Sequence, residues 1–183
     1  MVSQQWKALE RHTAKVLNGF RIPRGDNFSR SFPDVVASSQ IIGGLPGIIL
    51  AECKYSIRNP WVKTIRDLYD GKVLRIPSQN NDLVLFDLND IGALSKSSYT
   101  PLKKTVPKYI LSHLEQSRGY INLINNSPLD RVILQAKTGL VFSDLVLPIV
   151  VLGQKNCSFR LAYTGMSDLS SFLHNAAQSK RSL

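Results

Sequence analysis

The sequence predicts an α/β fold: one domain with a central mixed β-sheet flanked by helices. Three observations carry this. Short runs rich in branched apolar residues recur at 34–37, 48–54, 82–88 and 147–152. Amphipathic segments with helical spacing alternate with them, over 3–18, 60–71 and 107–125. The chain has 183 residues, 43% of them apolar, and no internal repeat or low-complexity linker divides it, so one core suffices. The domain is expected over 1–175, with 176–183 a frayed tail.

The elements follow in order. Ser3 is placed to cap a first helix that reaches Asn18, with Gly19 ending it. Its apolar stripe is Trp6, Leu9, Thr13, Val16 and Leu17, and Glu10 shares that inward face. A carboxylate there either joins an acidic site or snorkels at the edge of the stripe. Phe20 to Pro23 reads as a short strand and Arg24 to Ser31 as a polar loop. Asp34 to Ala37 and Ile48 to Lys54 read as two strands of a hairpin, turned at Gly43-Gly44-Leu45-Pro46-Gly47.

Asn59 and Pro60 have the cap-then-proline signature of a helix start, and Gly71 lies near its end. The expected buried stripe is Trp61, Ile65, Leu68 and Tyr69. Residues 82–88 form a strand and 92–106 a basic loop, so that 82–106 has the look of an insertion. Pro107 opens a helix to about Asn125 with Ile110, Leu114, Ile121 and Ile124 inward. Residues 131–135, 147–152 and 159–163 read as strands, and Asp168 as the cap of a short helix over 169–175.

Hairpin geometry draws attention to Pro33-Asp34 and Glu52-Cys53-Lys54. Alternation along a strand puts Glu52 and Lys54 on one face and Cys53 on the other. The turn returns Asp34 to the same end of the ribbon. Two carboxylates suit a hard divalent ion such as Mg²⁺, which can activate water for attack on phosphorus. A lysine beside them can orient that water or stabilise developing charge. The structural alternative is an ion pair of Lys54 with Glu52 or Asp34.

Charge points the same way. Lys and Arg number 23 against 13 Asp and Glu, a net charge of +10, which favours a polyanionic partner. Arg21, Arg24 and Arg30 lie just before Asp34, and Lys96, Lys103, Lys104 and Lys108 form a stretch without acids. Such residues suit phosphate contacts; a solvated basic surface is the plainer reading.

Other chemistries find no support. His12, His113 and His174 are scattered without zinc-ligand spacing. There is no Gly-x-Ser-x-Gly elbow and no phosphate-binding loop of the kind that binds ATP, so no nucleotide cofactor is expected. No apolar run approaches the roughly 20 residues that span a bilayer, and residues 1–7 lack signal-peptide features. With only Cys53 and Cys157, no disulfide framework is expected, and a reducing, cytoplasmic setting without membrane contact follows.

Glu10-Arg11, Gly19-Phe20, the arginine-bearing strand, Ser29 and Ser31, Pro33-Asp34-Val35-Val36-Ala37 and Glu52-Cys53-Lys54 together resemble the PD-(D/E)XK nuclease superfamily. Over residues 3–56 they are most similar to archaeal-type and phage Holliday junction resolvases. The resemblance implies a restriction-endonuclease-like αβββαβ core. It implies Glu10, Asp34 and Glu52 as ligands of Mg²⁺, or Mn²⁺ in its place, and Lys54 as the catalytic lysine. Arg21 or Arg24, and Ser29, would contact the scissile phosphate region, and Gln116 would match a polar residue near the site. It implies a homodimer acting on branched DNA. The longer C-terminal half departs from resolvases and leaves open a sequence-specific homing or restriction endonuclease, or an inactive DNA-binding module of the same fold.

Overall fold

A computed structural model describes residues 2–23, 32–77, 82–96, 98–142 and 145–182. The first helix, α1 (Val2–Leu17), leads into a short strand, β1 (Phe20–Arg21), then β2 (Val35–Ser38) and β3 (Ile48–Ser56). The sharp exit from α1 uses Asn18 in the left-handed region, φ 50°. Gly19 is needed for a different reason: a Cβ there would sit 2.6 Å from Ala37 Cβ and 2.7 Å from the Val36 carbonyl. This contact seats α1 directly on β2. Ser3 lies within the helix rather than at its cap, since α1 already starts at Val2.

The hairpin forms as expected. β2 and β3 are antiparallel, with Val35 opposite Ala51 and Ser38 opposite Ile48. The connection is a short 3-10 turn at Ser39–Ile41, followed by Gly43 and Gly44, both at positive φ. The helix α2 (Pro60–Leu68) starts where predicted, with Asn59 Oδ1 accepting from the backbone N–H of Trp61 and Val62. Its stripe differs: Val62 is buried and Leu68 is exposed, because the helix stops at Leu68 before another turn can return that side chain to the core.

The strand β4 (Leu74–Ile76), absent from the sequence reading, pairs antiparallel with β5 (Leu83–Asp87). A 3-10 segment, Leu88–Ser95, and the two-residue strand β6 (Thr100–Pro101) occupy part of the stretch read as a basic loop. β5 lies inside the sheet between β8 (Leu161–Gly165) and β4, so residues 83–87 belong to the body of the domain rather than to an excursion.

Three further elements correct the reading. The helix α3 (Lys108–Asn126) follows Pro107 as expected. Residues 131–135 are not a strand but the middle of α4 (Pro128–Thr138). Ser127 caps that helix, Pro128 stands in its first turn, and Gly139 ends it at φ 68°. β7 (Val146–Gln154) contains the predicted 147–152 run, and β8 starts two residues later than predicted. The last helix, α5 (Met166–Arg181), is no short piece with a frayed tail. Leu169, Phe172 and Ala176 continue one buried stripe through it, and Asp168 sits in its first turn.

The eight strands order as β1-β2-β3-β7-β8-β5-β4-β6 in one mixed sheet. β3 and β7 are parallel over nine residue pairs, with Glu52 opposite Val150 and Lys54 opposite Leu152. A parallel pair needs a crossover, and α3 lies in it, packed on both strands. With α2, β4, β5 and β6 inserted between β3 and α3, and α4 before β7, the elements α1, β1, β2, β3, α3 and β7 follow one another in the order αβββαβ. Odd-numbered side chains of β3 (Ile49, Ala51, Cys53) face α1 and α5 in one apolar cluster. Even-numbered Ile48 and Leu50 face α3 and α4 in another. Among the described residues no helix is long and apolar enough to cross a membrane.

Candidate active site

The antiparallel pairing of β2 and β3 ends at Val35, while β3 runs on for five more residues. Cys53, just past the end of the ladder, has a backbone N–H with no strand partner on that side. The Asp34 carboxylate accepts it, Cys53 N to Oδ2 at 2.8 Å. Asp34 is 2% exposed, so this bond replaces hydration the side chain has given up.

Glu52 points to the α3 side and is fully buried, at 0% exposure. Both its oxygens are engaged. Lys54 Nζ lies 2.5 Å from Oε1, and Gln116 Nε2 donates to the same oxygen at 3.0 Å. The Tyr120 hydroxyl donates to Oε2 at 2.6 Å. Gln116 and Tyr120 are one helical turn apart on α3, and Gln116 Nε2 also lies 3.0 Å from the Tyr120 oxygen. Burial pushes the Glu52 carboxyl above its ordinary range, and the Asp34 charge adds to this; the Lys54 and Tyr120 contacts oppose it. Burial and the Glu52 charge in turn raise the Tyr120 phenol.

Glu10, 2% exposed on α1, meets Arg21 of β1, with Nε to Oε2 at 2.5 Å. It does not snorkel. The thiol of Cys53 points to α1, 3.5 Å from Thr13 Oγ1, and burial raises its pKa far above the ordinary thiol value. The charges of Asp34, Glu10 and Glu52 all act on that thiol in the same direction. Three buried carboxylates thus surround one residue of β3.

Among the described residues, no group of three or more His, Cys, Asp or Glu side chains is gathered as a ready-made metal cage. The backbone accounts for this: Glu10 comes from α1 on one side of the sheet, where it pairs with Arg21, and alternation along β3 turns Glu52 to the α3 side, where Lys54, Gln116 and Tyr120 hold it. The donor chemistry still suits a hard cation. Ionised Glu52 is penalised by burial and by Asp34, and a divalent ion held by these carboxylates would offset that cost.

Beside Lys54 a cleft of about 500 Å³ opens, lined by Tyr55, Arg58, Asn59, Tyr109 and His113. The Tyr109 and His113 rings stand 6.0 Å apart, and Tyr109 donates to Asn59 Oδ1 at 2.8 Å. Burial and then the Lys54 charge lower the His113 pKa.

Sequence reasoning placed Glu10, Asp34, Glu52 and Lys54 at this corner, and the structure brings them around Cys53. Arg21 is there too, as the partner of Glu10 rather than as a free cation. Arg24, Ser29 and Arg30 lie outside the described residues. Lys103 and Lys104 are exposed and follow β6, the far edge of the sheet from β1. Four strands separate β6 from β3, about 24 Å at ordinary strand spacing. Lys108 is exposed at the start of α3. Tyr120 was missed. Its signal was its place in the stripe Ile110, Leu114, Ser117, Tyr120 and Ile124, where it and Ser117 are the two hydroxyls among apolar side chains.

The fold and this corner define a single α/β domain with a buried acidic cluster at the end of a strand pair. Comparison with family models, with curated proteins and with solved structures finds no match.

Proposed function

We infer that the protein is a metal-dependent DNA endonuclease of the PD-(D/E)XK kind, hydrolysing phosphodiester bonds, with branched DNA as its substrate. One observation carries this reading most. A chain of net charge +10 buries three carboxylates, from α1, the start of β2 and β3, around one residue of a strand that also presents a lysine. Structural ion pairs alone give little reason for that concentration, since desolvating several charges costs several kcal/mol each, of order.

Asp34 and Glu52 are the residues that would hold Mg²⁺ or Mn²⁺, with Glu10 nearest on the α1 side. When bound, the ion supplies a more acidic water and neutralises charge at the phosphate. Lys54 is the group able to orient the water or donate to the phosphate oxygens. Gln116 and Tyr120 fix the Glu52 carboxylate by hydrogen bonds to its two oxygens. Attack is direct, with no covalent intermediate. The cleft holding Arg58, Tyr109 and His113 offers the strand a path next to Lys54. The exposed apolar side chains Leu129, Val132 and Val141 offer a surface for the homodimer that paired cuts require.

A second reading is favoured by the saturation of Glu52: a DNA-binding module whose acids are structural. A substrate panel separates the two. Labelled four-way junction and matching linear duplex are incubated with Mg²⁺, Mn²⁺ or EDTA. Symmetric metal-dependent cuts in the junction support the resolvase-like activity, and one strongly cut linear site supports a homing or restriction enzyme. Salt-sensitive binding without nicking in either metal supports the inert module.

A further inference from the structure

Tyr109, His113, Gln116 and Tyr120 follow one another at helical spacing and form a polar stripe on α3. The stripe lies along the even-numbered residues at the end of β3. Gln116 and Tyr120 meet Glu52. One turn earlier on α3 and two residues further along β3, His113 and Lys54 line the same cleft, with Ser56 and Tyr109 beyond them.

Among the described residues His113 is the member of this seam without a hydrogen bond. Glu52, Lys54, Gln116 and Tyr120 bond one another. Tyr109 donates to Asn59 Oδ1, and Ser56 Oγ to the Arg58 carbonyl. His113 has a ring contact with Tyr109 and nothing more. Its two ring nitrogens are therefore left for a water or a substrate.

The titratable groups that share the cleft with His113 are Lys54 and Tyr55 of β3, Arg58 ahead of α2, and Tyr109 on its own helix. β7 adds only Leu152 and Gly153, and no carboxylate lines the cleft. Burial and then the Lys54 charge favour the neutral imidazole. The Lys54 ammonium and the Arg58 guanidinium have no acceptor to offer, and both oxygens of Glu52 are already occupied. His113 is thus the group beside Lys54 best able to take up a proton near neutral pH.

We propose that His113 is the proton acceptor of the hydrolysis, an inference that rests on the endonuclease activity inferred above. The imidazole takes a proton from the attacking water as the water oxygen bonds to phosphorus. The bond from phosphorus to the leaving strand oxygen breaks, and that oxygen takes a proton from solvent. The imidazolium then returns its proton to solvent.

The test compares the full chain with His113→Ala and His113→Gln on labelled four-way junction and linear duplex, in Mg²⁺ or Mn²⁺. Single-turnover cleavage falls at least about 100-fold in both variants, the scale of losing a general base, while gel-shift affinity persists. Added imidazole raises the rate of His113→Ala to a plateau and leaves the unaltered chain unchanged. In EDTA, the His113 ring-proton resonances, identified by their loss in His113→Gln, shift when junction DNA is added. Normal cleavage by His113→Ala, slow cleavage that imidazole does not raise, or ring resonances that DNA leaves in place would each overturn this role and leave the endonuclease reading standing. An unaltered chain that cuts neither DNA would overturn the endonuclease reading and this role with it.

Discussion

The two flanks of α1 differ in how their polar groups are satisfied. On the β1–β2 flank Glu10 meets Arg21 and Asp34 meets the Cys53 N–H, while through the sheet, on the α3 side, Glu52 is held by Lys54, Gln116 and Tyr120. On the flank facing the turn after β7, His12, Gln154 and Arg160 keep buried atoms without partners. The first is acidic and internally paired; the second borders a basic cavity, lined by Lys155 and Arg160 without Asp or Glu, and is internally incomplete. An ion could enter the first only by competing with protein partners. Under the proposed function the acidic corner would have to rearrange locally to take an ion, and binding would depend on pH and on each displaced partner.

The largest effect expected is from Glu52→Gln or Asp34→Asn. Each removes a carboxylate charge but keeps an oxygen acceptor, so Cys53 N–H retains its partner in Asp34→Asn. Cleavage should fall below detection in both, while gel-shift affinity for DNA persists. Next comes Lys54→Ala, for which single-turnover cleavage should drop on the order of 100-fold, the scale of losing one donor to developing charge. Near-normal cleavage in this variant would reduce Lys54 to a structural partner of Glu52.

Linkage to pH sharpens the contrast further. The Glu52 pKa is raised in the folded chain, so its contribution to stability is fully present below the ordinary carboxylate range and lost as pH rises through the raised value. Ion binding needs the charged form, so the gain in Tm from Mg²⁺ should be small within the ordinary carboxylate range of pH and grow as pH rises above it, with proton release on binding. Calorimetric scans with and without Mg²⁺ check this, and Glu52→Gln should lose the pH dependence of the gain. Tyr120→Phe strips Glu52 of one donor and should cost about 1–3 kcal/mol. At roughly 2–4 °C per kcal/mol for a chain of this size, thermal unfolding reads that directly.

The smallest expected effect compares the two cysteines, one on each flank. Cys53 is 7% exposed with its thiol pKa raised by burial. Cys157 lines the basic cavity and is only half-buried. Brief alkylation of the native chain should modify Cys157 and spare Cys53, as peptide mass mapping would reveal. Equal labelling would mean that the acidic corner opens readily.

How much of this was legible depended on whether local signals acted alone. The hairpin of β2 and β3 was, because alternation, the Gly43-Gly44 turn and branched side chains agree. So was the inward placement of Glu10, from helical spacing. The run Val132-Ile133-Leu134 misled: branched residues suggested a strand, but the Ser127 cap, Pro128 and Gly139 fix a helix. β4 spans three residues, too few for periodicity to speak. The extension of α5 was written in Leu169, Phe172 and Ala176, whose burial needs the sheet beneath them. Tyr120 became a site residue only through the crossover that lays α3 over Glu52; the same crossover brings in Gln116, which the resemblance alone had suggested. The basic cavity could not be read at all, since its lining comes from α1, β3 and the turn after β7.

The most direct measurement of the central claim is single-turnover cleavage of a labelled four-way junction by the unaltered chain and by Glu52→Gln, each in Mg²⁺ and in EDTA, with binding measured on the same samples. The account predicts paired cuts by the unaltered chain in Mg²⁺ only, and equal junction binding without cuts by Glu52→Gln. Cleavage that survives in Glu52→Gln, or tight binding by the unaltered chain with no cut in Mg²⁺ or Mn²⁺ on junction or linear DNA, would contradict it.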